Sequence, residues 1–374
     1  MKFLEAVLIL SGMIIGVGMF GIPFSFVSVG FWLGALELLV IAGAMTWLHL
    51  LYGEVVLKTP QPHRLPGYVR THLGKHTAWI SWASAFFGIL GSLLAYIVVG
   101  SIFLHAVFQN VWGSSSEFFW AVAVAVLGAI VTLFPLKREA FINGVLTTLL
   151  IVFIVVLTLF LFPNVEVKNF SGFKPQNVFV PYGVFLFALA GGVVIPDLIT
   201  VLGKDRGRAR WAIIVGTLVP AILYFLFAFA VVGVLGRAVS EEAVRGLAPI
   251  AGGSLVLFGS IVGFLAVFTS FIVLSMSFQA LMNLDLGLSR TFAWLVASGV
   301  PFVFYLMGFQ NFIIVIGAVG AIAVGVDSAL IILMQHRLHR TGGGFFPWFS
   351  YAWRTAIFSV IAAGALFELY KLFG

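Results

Sequence analysis

Cysteine is absent from this 374-residue chain, and charged residues make up only 9% of it. The first absence rules out disulfides, thiol nucleophiles and Cys-ligated metals. The second, together with 62% apolar residues and a mean hydropathy of +1.16, excludes a soluble globular domain and a disordered chain alike. Long polar stretches are missing too. Those at 58–75 and 165–176 are of connection length, so no soluble domain is expected beside the membrane part. There is no ATP-binding motif, no paired catalytic carboxylates and no His-Glu-x-x-His signature, and the 7 histidines are scattered or loop-borne. An intramembrane enzyme is therefore not expected.

What the chain has instead is apolar runs. A helical span needs ~20 mostly apolar residues, and eleven segments qualify: 3–28, 31–57, 78–107, 118–135, 140–163, 178–202, 211–236, 254–284, 291–308, 312–335 and 353–372. The run from Phe3 passes any cleavage site and reads straight into the second, so it is a span and not a removable signal peptide. With the N-terminus inside, only Lys168, Lys174, Arg237, Arg245 and Lys371 of the 20 Lys and Arg fall outside. Positive residues near span ends set orientation, which predicts a multi-pass cell-membrane protein with a cytoplasmic N-terminus and an extracytoplasmic C-terminus. The net charge of +7 is mostly this topological signal. It implies attraction to anionic lipid headgroups and no nucleic-acid partner.

Two spans break at matching places. Gly16-Val17-Gly18-Met19-Phe20-Gly21-Ile22-Pro23 and Leu189-Ala190-Gly191-Gly192-Val193-Val194-Ile195-Pro196 lie a constant 173 residues apart. Within hydrocarbon an unpartnered backbone group costs several kcal/mol, so such breaks are tolerated only where protein, water or ligand meets the freed groups. The first lies in span one and the second in span six, which run in opposite directions. That predicts an inverted repeat of five plus five spans, about 3–163 and 178–335, with 353–372 added, in a single transmembrane domain over 1–374. Packing of small residues is the alternative account of glycines in membrane helices, but it demands neither the prolines nor the symmetry. The half-helix restarting at Ile22-Pro23 offers free N–H groups that suit a carboxylate, and the half ending around 12–15 offers carbonyls that suit a cation. Gly191, Gly192 and the inner half of span six add further carbonyls. An amino acid zwitterion fits both polarities.

Three segments carry a family resemblance: "GMIIGVGMFGIPF" at 12–24, "GSLLAYIVVG" at 91–100 and "FALAGGVVIPDL" at 187–198. They resemble the amino acid/polyamine/organocation transporter superfamily with the LeuT fold, most nearly its amino acid/auxin permease group, over essentially the whole chain. The resemblance implies that the amides of Val17 and Gly18 hold a substrate carboxylate while carbonyls of Phe187, Ala188 and Leu189 take the amine. It also implies that Thr269 and Ser270, with carbonyls of Gly12 and Ile15, form a sodium cage. The alternative for that hydroxyl pair is bonding back to a carbonyl one turn earlier. A thioether at Met19, where sodium-coupled relatives with a second site carry Asn, argues against a second sodium. Leu150 stands where proton-coupled relatives often carry lysine, so sodium is mildly favoured over protons. No other cofactor is expected.

Charged groups within spans usually face the bundle interior or water, which makes Glu37, Asp197 and Asp327 candidate proton carriers or gates. The alternative for each is a structural bond to backbone donors. His49 is expected to be buried and hydrogen-bonded. Tyr96, with one hydroxyl on an apolar body, suits contact with a carboxylate and a pocket wall. Phe20, Phe185 and Phe187 are expected to line the pocket or cover it, beside Gly16, Met19 and Gly21. No charge lies within a turn of either break on the outer side, which points to a neutral, apolar or aromatic side chain. The expected function is a monomeric symporter of such amino acids, coupled to Na⁺ or H⁺. A sensor or scaffold on the same fold, or a carrier of another small amine or organic cation, remains the alternative.

Overall fold

The computed structural model describes residues 2–112, 116–134, 139–339 and 364. With no water to satisfy backbone groups, spanning segments take helical form, and the described chain is built from helices. In order they are α1 (Lys2–Ile14), α2 (Ile22–Val29), α3 (Phe31–Lys58), α4 (Leu65–Leu73), α5 (Lys75–Trp112), α6 (Glu117–Thr132) and α7 (Glu139–Leu161). The second half holds α8 (Phe179–Ala188), α9 (Ile195–Val201), α10 (Arg206–Leu235), α11 (Ala248–Leu286), α12 (Arg290–Leu306), α13 (Phe312–Val319) and α14 (Gly325–His339). Among the described residues 7 helices are long and apolar enough to cross a membrane, or 8 counting α1 with α2 as one bent span. Glu117–Thr132 and Arg290–Leu306 are shorter apolar helices. The expected span 353–372 lies outside the described residues except Gly364.

Helix ends follow local chemistry. Ser116, Asp205, Ser289 and Asn311 cap α6, α10, α12 and α13 by accepting a backbone N–H three residues on. Proline occupies the second position of both α2 and α9, where its missing N–H has no intrahelical partner to lose. Gly30 joins α2 to α3 at φ 100°, and a Cβ there would stand 2.4 Å from the Gly172 carbonyl oxygen, so only glycine fits. Two features depart from the expected pattern. Within the segment 58–75, Leu65–Leu73 folds into α4, whose Tyr68 and Val69 are buried while Arg70 is exposed. The tenth span is not a plain helix: a π turn, Gly320–Val324, separates α13 from α14.

Packing sorts the helices into two groups. α1, α2, α3, α8, α9 and α10 pack on one another, and α5, α6, α11 and α12 pack on one another. α7 lies between α10 and α11, while α13, the π turn and α14 lean on both groups. Large apolar side chains remain outward, among them Leu4, Leu39, Val126 and Leu159, as a lipid-facing surface requires. Trp32, Trp79 and Trp211 are exposed near helix starts, where an indole suits the membrane–water boundary.

Helices approach one another closely at the π turn. A Cβ on Gly320 would lie 1.9 Å from the Gly183 carbonyl oxygen and 2.7 Å from the Phe187 nitrogen, both backbone atoms that cannot rotate away. Gly320→Ala should therefore force α8 off the π turn and destabilise the protein by about 1–3 kcal/mol. Gly43→Ala, with nothing within 4 Å of the new methyl, should be neutral or mildly stabilising. Thermal unfolding midpoints of the two detergent-purified variants check this, and equal midpoints would refute the contact.

Candidate functional site

The first break follows from where backbone bonds stop. The last bond of α1 runs from the Ile15 N–H to the Ser11 carbonyl at 2.8 Å, leaving the carbonyls of 12–15 beyond it. Gly16 is extended, at φ −144° and ψ −153°, and a 3₁₀ turn, Val17–Gly21, follows. Its first bond is donated by the Met19 N–H to the Gly16 carbonyl at 3.3 Å, so the amides of Val17 and Gly18 precede it. Across this break the chain bends by 52°. The second break opens where α8 ends at Ala188 and closes with a 3₁₀ turn, Gly192–Val194, before α9.

The two breaks interlock. A Cβ on Gly18 would lie 2.7 Å from the Ala188 Cα and 3.0 Å from the Phe187 ring, while one on Gly191 would lie 2.6 Å from the Leu10 side chain and 2.8 Å from that of Ile14. Each break thus receives the other through a missing side chain. Tyr224 of α10, fully buried, stands over both: its hydroxyl is 2.6 Å from the Ile14 carbonyl oxygen and 3.2 Å from that of Ala188. His49 of α3 holds the second break. The Gly191 N–H donates to its Nε2 at 3.3 Å, which makes Nδ1 the protonated nitrogen of the neutral ring, and Nδ1 lies 3.0 Å from Thr217 Oγ1.

Of the residues expected to line a pocket, Gly16, Tyr96, Phe187 and Gly192 are half-buried. Val17, Gly18, Met19, Gly21, Ala188, Leu189 and Gly191 are buried around the junction. Phe20 and Phe185 are fully enclosed, Phe20 edge-on to Phe103 at 4.9 Å and Phe185 beside Phe26 at 5.7 Å, so neither forms an open wall here.

The expected cation ligands lie on helices that both pack against α7. A Cβ on Gly12 would stand 3.9 Å from the Thr147 methyl of α7. Thr269 donates to the carbonyls of Leu265 and Ala266 at 2.9 and 3.1 Å, and Ser270 donates to Ala266 at 2.8 Å. Back-bonding uses each hydroxyl's proton and leaves lone pairs on the oxygens of Thr269 and Ser270. Leu150 of α7 is buried.

The three carboxylates meet different surroundings. Asp197 is half exposed and ion-paired to Arg64 at 2.8 Å, and the same guanidinium donates to the Val193 carbonyl at 3.2 Å, so the pair fastens the entry to α4 onto the second break. Asp327 accepts from Ser84 at 2.8 Å, and that hydroxyl also reaches the Ala323 carbonyl of the π turn at 3.0 Å. Glu37 is half-buried near enough to Tyr182 to act on it electrostatically, and its Oε2 has no hydrogen-bond partner among the described residues. Sequence reasoning missed Tyr224, Arg64 and the π turn. One signal was available: Thr217 and Tyr224 are polar side chains two turns apart on one face of an apolar span.

Comparison with known proteins places this geometry. The tryptophan/tyrosine permease family model matches residues 1–333. Glutamine transporter 2 of Aliivibrio fischeri (strain ATCC 700601 / ES114) is 25% identical over 237 residues, 62% of this chain and 61% of the relative. Amino acid transporter AVT1H of Arabidopsis thaliana is 23% identical over 247 residues, 64% of this chain and 58% of the relative. The matches thus span less than two thirds of either relative's length. Among solved structures, MhsT in complex with L-phenylalanine superposes with a TM-score of 0.67 at 16% identity, covering 99% of this chain and 98% of that one. The likeness shows the fold, the LeuT fold.

Tyr224→Phe removes the hydroxyl donor over the Ile14 and Ala188 carbonyls without changing shape. It should lower stability by about 1–3 kcal/mol, the penalty for a buried acceptor left without its partner. An unchanged unfolding midpoint would show that the hydroxyl does not hold the junction.

Proposed function

The chain belongs to the tryptophan/tyrosine permease family, and on that premise we propose that it is a secondary active transporter of neutral, apolar or aromatic amino acids, driven by Na⁺ or H⁺. The observation that carries this is the interlocked pair of breaks, where Gly18 meets Ala188. Amides that precede the first turn after one break lie against the carbonyl end of α8, so a carboxylate acceptor and an ammonium donor find complementary groups side by side. The side-chain preference follows from residue type: Tyr96 and Phe187 are half-buried and uncharged, and Asp197, one turn past the second break, is engaged by Arg64. The named relatives, a glutamine transporter and an amino acid transporter, and MhsT with bound L-phenylalanine support the amino acid class.

The architecture that goes with this reading has eleven helices in a five-plus-five inverted repeat with an added helix, and a cytoplasmic N-terminus. α1, α2, α3, α8, α9 and α10 form a bundle that rocks against α5, α6, α11 and α12, exposing the junction to each side in turn. Gly12, Ile15, Thr269 and Ser270 hold one Na⁺ if sodium is the driving ion, while Glu37, Asp197 and Asp327 are the membrane-level acids that would serve protons or gating.

Uptake of a labelled amino acid panel into proteoliposomes, with sodium or pH gradients imposed separately, tests the reading. Gradient-driven accumulation of an apolar or aromatic amino acid is expected. Absence of uptake for every amino acid, together with no thermal stabilisation by any of them, would reject it. Thr269→Ala should abolish the sodium response, and an unchanged response would remove Thr269 from the site. Gly18→Leu should abolish binding while the protein still expresses, since its side chain must displace the Ala188 backbone.

A further inference from the structure

We infer that His49 is the positioning residue of the second break: its neutral ring holds the Gly191 amide, and a proton on Nε2 releases that amide and frees the junction. The geometry allows no compromise. Nε2 is the acceptor for the Gly191 N–H at 3.3 Å, and Nδ1 already lies against Thr217 Oγ1 at 3.0 Å. An imidazolium carries N–H on both nitrogens, so protonation would set two donors face to face at Gly191. His49 is 2% exposed and Thr217 is fully buried, so no solvent stands ready to take over the amide. The released segment is the one whose Gly191 receives Leu10 and Ile14, which ties the state of the ring to both breaks.

Other titratable groups on α3 and on the helices packed against it are occupied or distant in sequence register. On α3, Glu54 pairs with Lys58 and accepts from Gln335, Glu37 lies three turns away, and the Tyr52 ring meets Tyr68. α2 has none; α8 has Tyr182 beside Glu37, and α9 has Asp197 paired with Arg64. α10 has Tyr224 on the two carbonyls, with Arg206, Arg208 and Arg210 in its first turns. α14 has Asp327 bonded to Ser84, with His336 and Arg337 near its far end. None of these contacts includes the imidazole, so its partners are a backbone amide and a hydroxyl.

The inference rests on the transport reading only for its use in the cycle, and its test needs no substrate. The chain has no cysteine, and a side chain at Gly192 meets only the Tyr52 ring at 4.0 Å. Gly192→Cys therefore reports the openness of the break through its rate of maleimide labelling. The rate is measured with His49 and with His49→Gln, which keeps a neutral donor and acceptor but takes no proton. Their ratio at each pH cancels the ionisation of the thiol itself. The ratio should rise about tenfold between about pH 7 and about pH 4, as the buried ring gains its proton and the amide bond is lost. His49→Leu should label fast at every pH, and Ala190→Cys, at a half-buried position beside Gly191, serves as a second reporter if Gly192→Cys fails to fold. A flat ratio, or slow labelling in His49→Leu with a native unfolding midpoint, would overturn the assignment. If the wild-type protein transports no amino acid yet the ratio rises, the transport reading fails and the role of His49 stands.

Discussion

Interrupting a helix inside hydrocarbon strands N–H groups on one side of the gap and carbonyls on the other, and each stranded group buried without a partner is a penalty of several kcal/mol. This chain interrupts two helices and brings the gaps together, so that the molecule has to answer for both sets of orphans in one place. The answer is partly protein: Tyr224 covers the Ile14 and Ala188 carbonyls, and His49 takes the Gly191 amide. Both side chains reach in from long helices, α3 and α10, that pack along each other and support α1 and α9. The junction is held by the frame around it because its own backbone cannot close the account of its bonds.

That frame also explains the distribution of glycine. Gly18, Gly191, Gly183 and Gly320 stand where backbones or side chains of a neighbouring helix occupy the space a Cβ would take. At Gly18, Gly183 and Gly320 these contacts bring main chains close without relying on interdigitated side chains. Sliding past one another then breaks few rotamer-locked contacts, unlike a ring-filled interface such as that of Phe26, Phe31, Phe170 and Phe225. The π turn belongs to the same interface. It presents Gly320 to α8 and the Ala323 carbonyl to Ser84 of α5, so one segment touches a member of each packing group.

What the chain reveals before folding depends on the range of the interaction. Ile22-Pro23 and Ile195-Pro196 announce helix restarts because proline's missing N–H is a local property, and α2 and α9 begin there. The end of α1 at Ile14 is legible for the same reason, since the glycines beside it weaken the next turn. The partners of Glu37, Asp197 and Asp327 were not legible. All three are acids in apolar runs, yet one lies near a tyrosine, one pairs with Arg64 at the surface and one accepts from Ser84 on a helix far away in sequence. Periodicity sees none of this, because the partner's position is fixed only by tertiary packing. The π turn escaped because an inserted residue leaves the apolar pattern of a fully buried helix unchanged. α4 was hidden in a stretch that reads as a polar connection.

The Tyr224 hydroxyl has a single proton and two carbonyls within reach, at 2.6 and 3.2 Å. Shared this way, it satisfies Ile14 well and Ala188 poorly, since hydrogen bonds weaken with length and a bifurcated proton divides its strength. Ala188 is also the residue against which Gly18 rests, so the under-satisfied acceptor lies beside the amides that open the first break. An ammonium group offers such a carbonyl a charge-assisted bond roughly twice as strong as a neutral one. On the amino acid reading, the ligand therefore completes what Tyr224 leaves unfinished at Ala188, and its carboxylate does the same for Val17 and Gly18. Binding then relieves orphan groups at both breaks at once, which couples occupancy to the arrangement of α1 and α8 through the backbone itself.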